Sequence, residues 1–109
     1  MFDYRPYVKL YQLSRKYLKE LDKLNGKQDV GFWEKINSDF NNLFWHKYKH
    51  LYMDLNPIIV TDINNIFNSI EVKNGNIGNL KASLKKAEED SKNELPNYLA
   101  PEILEEIVT

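Results

Sequence analysis

Cysteine is absent from the 109-residue chain, which excludes disulfide bridges, thiol nucleophiles and thiolate metal sites together. Glycine and proline are scarce, four of each, and they fall where helices would start or stop. Long apolar runs are also missing. The longest purely aliphatic run is Ile58-Ile59-Val60, far short of a membrane span, so no membrane insertion is expected. The opening residues Met-Phe-Asp-Tyr-Arg-Pro lack the apolar centre of a signal peptide, and the expectation is a cytoplasmic protein.

Strong charge of either sign is lacking as well. The net charge of −1 conceals a modest asymmetry: Met1 to Leu55 carries 10 basic and 7 acidic residues, and Asn56 to Thr109 carries 5 and 9. Neither half is extreme enough to demand a polyanion or a membrane surface, and the two are expected to face each other. Asparagine is frequent alongside lysine and isoleucine, which points to an AT-rich coding sequence of bacterial or phage origin.

Aromatic residues are what the chain has in quantity. Half of them lie between Phe32 and Leu55, in FWEKINSDFNNLFWHKYKHLYMDL. At 100° per residue, Trp33, Ile36, Phe40, Leu43, Phe44, Leu51 and Leu55 share one side of a helix. Trp45, Tyr48 and Tyr52 share another. Such a helix is either enclosed by its own protein or turned toward a partner.

The rest of the chain reads as helices around this one. A first helix is expected from Pro6 to about Asn25, with Gly26 as its stop. Tyr7, Leu10, Ser14, Tyr17, Leu21 and Leu24 give it a seam at spacings of three and four. Opposite lie Arg5, Lys9, Lys16, Lys19 and Lys23, either a solvated face or a contact for an acidic protein or a phosphate backbone. Asp29 is the expected N-cap of the second helix, which should run unbroken to Asn56-Pro57. Asn56 and Pro57 then open a third helix with a stripe of Ile59, Ile63, Ile66 and Ile70 and an uncharged polar face of Thr61, Asn64, Asn65 and Asn68. Residues 71–78 read as a loop, with a very short hairpin at Asn74-Gly75 as the alternative. A fourth helix from about Asn79 to Glu94 has a narrow seam, Leu80, Leu84, Ala87, Ser91 and Leu95, whose small members suit close approach to the aromatic second helix. Glu102 to Val108 forms a last short helix, too apolar to hang free. It closes one end of the bundle, or docks onto a second copy or a partner.

Catalytic patterns are weak. His46, His50 and Asp54 stand one helical turn apart, the spacing of helical zinc sites. No glutamate adjoins the first histidine, no third histidine exists, and Lys47 intrudes, so no metal and no cofactor are assigned. Gly75 and Gly78 make no phosphate-cradling loop. The serines have no suitably placed base. Every carboxylate pair sits in a polar run whose surroundings should leave its pKa unraised.

The sequence therefore specifies an all-α single domain over residues 1–109: a compact four-helix bundle with a short additional C-terminal helix. The functional expectation is a non-enzymatic protein that occupies a partner protein, as an inhibitor, immunity-type factor or assembly adaptor, through Trp45, Tyr48 and Tyr52. Two rivals stand beside it. One is nucleic-acid association through Arg5, Lys9, Lys16, Lys19 and Lys23. The other is self-assembly, with the first helix or the C-terminal helix pairing between copies.

Overall fold

A computed structural model describes residues 3–27, 29–72 and 77–108. Helix α1 spans Arg5–Leu24, with Pro6 in its first turn and the Asp3 carboxylate accepting from the Arg5 N–H at 3.0 Å. It ends where Asn25 and Gly26 both turn left-handed, at φ 51° and 80°. A side chain at position 26 would be strained there, which is why glycine stops the helix. Asp29 caps α2, Val30–Asn41, by accepting from the Phe32 N–H at 3.4 Å.

The second helix does not run unbroken to Pro57. After Asn41 the chain widens into a π turn, Asn42–Lys47, and then tightens into a 3-10 turn, Lys49–Asp54. The Tyr48 N–H reaches back five residues to the Leu43 carbonyl at 2.7 Å, and the Leu51 N–H only three, to Tyr48, at 3.0 Å. A turn closed over five residues keeps side chains spaced four apart in line. Phe40, Phe44 and Tyr48 are accordingly all buried.

Helix α3, Pro57–Glu71, starts as the Asn56-Pro57 junction requires, with Asn56 Oδ1 accepting from the Ile58 N–H at 3.0 Å. The backbone N–H of Asn56 also donates to Tyr7 Oη at 2.9 Å, and its side-chain amide to Glu94 at 3.2 Å. One residue thus ties α1, α3 and α4 together. Helix α4, Ile77–Glu94, buries Leu80, Leu84, Ala87 and Ser91. Residues 73–76, on which the choice between loop and hairpin turns, lie outside the described residues; Glu71 still belongs to α3 and Ile77 already to α4.

Helix α4 packs on α1 and α3, α2 packs on α3, and the π turn touches α1. The small residues of α4 therefore admit α1 and α3 rather than the aromatic second helix. One contiguous core joins Leu10, Tyr17 and Leu21 of α1 to Ile36 and Phe40 of α2, the isoleucines of α3, and Leu80 and Leu84 of α4. The result is an all-α bundle of four principal helices, with no strand among the described residues.

After a short 3-10 turn at Leu95–Asn97, α5, Pro101–Val108, closes the end. Leu104 and Ile107 pack against the core. The last described carbonyl, Val108 O, accepts from Arg15 Nη1 at 2.7 Å and from Tyr11 Oη at 3.4 Å. Of the two sequence-level alternatives for this segment, docking within the chain is the one seen. No helix of the described residues is long and apolar enough to cross a membrane.

Candidate functional site

Trp45 stands on the π turn with 54% of its surface exposed, although the turn's neighbours Phe44 and Tyr48 are in the core. Widened turns within helices are frequent at functional sites. Here the turn separates the indole from the line of buried rings. Its only described ring neighbour is Phe67 of α3, with centroids 6.2 Å apart and planes inclined at 59°.

The two rings form part of a solvent-open cavity of about 430 Å³ whose walls are α2 and α3. Asn37 and Asn41 come from α2 one turn apart; Asn64, Asn68 and Glu71 come from successive turns of α3. The amides are partly ordered already. Asn41 Nδ2 donates to the Asn37 carbonyl at 2.7 Å and to its Oδ1 at 2.8 Å, and Tyr52 Oη donates to Asn64 Oδ1 at 2.9 Å. The patch combines an exposed tryptophan, a half-buried phenylalanine beneath it and a polar rim of four asparagines and one glutamate, an aromatic anchor within a polar rim as interfaces have.

The predicted trio of Trp45, Tyr48 and Tyr52 is not kept together. Tyr48 is 2% exposed and faces inward, flanked by the Arg5 guanidinium 5.9 Å and the Lys47 ammonium 5.5 Å from its ring. It is withdrawn from the partner-binding set, because the π turn rotates it off the face that a regular helix would give it. Tyr52 is half-buried against the core, and burial pushes its hydroxyl pKa up. It supports the rim through Asn64 instead of forming the platform. Phe67 was not singled out from sequence; it falls between the isoleucine stripe and the asparagine face of α3.

The basic face of α1 is present but interrupted. Arg5 is held by Asp3, whose carboxyl is pulled down to about 2 by that guanidinium. Lys9 and Lys16 line a groove with Lys47, which also contains Asp39, 3.6 Å from Lys16. Asp39 additionally accepts a short hydrogen bond from Tyr17 Oη, and burial with that carboxylate drives the tyrosine pKa up. Lys16, Lys19 and Lys23 line a second groove with Arg15, Glu20 and Ile107. Arg15 is turned toward the end of α5, and Glu20 binds Lys35 at 2.9 Å. Carboxylates are thus interleaved with the cations along the face.

His46 lies on the π turn, and His50 and Asp54 on the 3-10 turn, so the regular one-turn spacing is lost. Among the described residues no group of three or more histidine, cysteine or acidic side chains is placed to hold a metal ion.

One carboxylate departs from the expectation that all lie in undemanding polar surroundings. Asp62 is 1% exposed within the α3–α4 seam, and neither of its oxygens has a described hydrogen-bond donor. Burial, and next the Asp90 carboxylate opposite, raise its pKa to about 7. Lys86, 3.0 Å from Asp90, helps hold that second carboxylate in its charged form. At 1% exposure Asp62 is closed to any substrate.

No protein-family model, curated protein or solved structure matches this chain.

Proposed function

We propose that the protein is a non-enzymatic binding module that occupies a partner protein, in the manner of an inhibitor or assembly adaptor, through the patch centred on Trp45. The observation that carries the reading is the 54% exposure of that tryptophan on a widened turn, above Phe67. A large flat side chain left in water costs apolar exposure that a partner could cover, and tryptophan is among the residues that dominate interface energetics. The amide rim of Asn37, Asn41, Asn64 and Asn68 supplies donors and acceptors without the desolvation cost of charges.

Support for the nucleic-acid rival is weaker, since Asp39 and Glu20 lie among the lysines of α1 and would repel a phosphate backbone. The partner-binding reading is tested by affinity capture from the native cells with three baits: the wild type, Trp45→Ala, and Met53→Ala as a control at a 93% exposed position. A protein retained by the wild type and the control but lost with Trp45→Ala supports the reading. Identical capture by all three baits removes Trp45 from it.

A further inference from the structure

We infer that the Trp45 cavity receives an arginine side chain of the partner protein. The inference rests on the partner-binding role proposed for this patch and names the chemistry that it recognises. Three features select a cation. Among the described residues, the cavity's lining contains one charged group, Glu71, and no lysine or arginine. Among the described residues Glu71 forms no ion pair.

Glu71 is also the last residue of α3, a 15-residue helix with no basic side chain in its last turn. The partial negative charge of the helix C-terminus is therefore uncompensated by any side chain of that turn, and it adds to the carboxylate. The exposed indole supplies a third attraction, because the face of tryptophan is the best aromatic surface for a cation.

Arginine suits the cavity better than lysine. Its guanidinium is planar and weakly hydrated, so it stacks on a ring while its edge donates several hydrogen bonds. Donors are what the rim can use: Glu71 is an acceptor, and the Asn68 amide, which has no described side-chain partner, lines the same cavity and has an acceptor oxygen of its own. An anionic segment would meet Glu71 and the helix end with like charge. A purely apolar segment would strip the amides of water without replacing their hydrogen bonds.

The test uses the full chain labelled with ¹⁵N-tryptophan, whose two indole N–H signals belong to Trp33 and Trp45. Trp33, at 8% exposure, serves as the internal control. The probes are acetyl-Gly-Arg-Gly-amide and its citrulline twin, which keeps the shape but carries no charge. The arginine peptide is expected to move the Trp45 signal and leave Trp33 in place, the citrulline peptide to move neither. Glu71→Gln, at an exposed helix end, should weaken the arginine peptide roughly three- to fivefold. Equal shifts with both peptides, an unchanged affinity in Glu71→Gln, or no shift of Trp45 would each overturn the inference. If the peptide is silent while cellular capture still depends on Trp45, the arginine assignment alone falls. If both are silent, the partner-binding reading falls with it.

Discussion

Asp62 and Asp90 face each other across the α3–α4 seam, where burial and then Asp90 push the Asp62 pKa up, and neither Asp62 oxygen has a described hydrogen-bond donor. Only a protonated Asp62 can donate to Asp90. Between the ordinary carboxylate range and about pH 7 the seam therefore holds a proton that the unfolded chain would release.

That proton makes stability depend on pH in a defined direction. Asp62 ionises near 3.8 in an unfolded chain and at about 7 in the fold, so between these values the native state binds more protons. Stability falls as pH rises from about 4 to 7, and the loss is complete above that. Asp90 is shifted the other way, and its smaller contribution is lost below the ordinary carboxylate range. Asp62→Asn supplies a permanent N–H donor to Asp90. Urea denaturation should find it more stable than the wild type by about 2 to 4 kcal/mol at pH 8, with the gap closing toward pH 5. Equal stability of the two proteins at pH 8 would contradict the shared-proton account.

Asn56 predicts a second pattern. Its side chain caps α3 and reaches Glu94, so Asn56→Ala should cost about 1 to 2 kcal/mol. Tyr7→Phe leaves the Asn56 backbone N–H without its acceptor in a part-buried place and should cost about 1 to 3 kcal/mol. Because both changes act on one junction, their double variant should fall short of the sum, as read by denaturant midpoints. Full additivity would mean that the junction does not act as a unit.

Ser14 gives a third. Its hydroxyl is fully buried in α1 with no described partner. Ser14→Ala removes that unpaired group and improves helix propensity, so thermal denaturation should show a gain of about 1 kcal/mol. A loss of stability would reveal a hydrogen bond that the fold supplies to Ser14.

Most of the helical frame was legible in the chain because its signals are local. Asp29 and Asn56-Pro57 mark helix starts by chemistry that acts over three residues, and α4's seam follows one period from Leu80 to Ser91. The break after Asn41 was harder to read. Phe40, Phe44 and Tyr48 recur strictly every fourth residue, a spacing slightly too long for a regular helix, and only burial shows that all three share a side. Assuming a regular helix there grouped Tyr48 with Trp45. Asp62 was visible as a polar residue within the isoleucine stripe of α3, but its partner lies 28 positions away on α4, which no local pattern connects.

For the candidate site, the sequence singled out Trp45 and described Asn64 and Asn68 as an uncharged face. It could not bring them together. That juxtaposition depends on α2 packing against α3 and on the phase shift introduced by the π turn. Phe67 and Glu71 join the site for the same tertiary reason.

On the proposed function, Trp45 serves a partner and not the fold. With the captured partner purified, the decisive measurement is the dissociation constant of Trp45→Ala against the wild type, taken beside the urea midpoints of both proteins. The account predicts a loss of about 1 kcal/mol or less in stability, since the side chain is half in water, and a rise in Kd of roughly thirtyfold or more. An unchanged Kd, or a collapse of the fold without the indole, would contradict it.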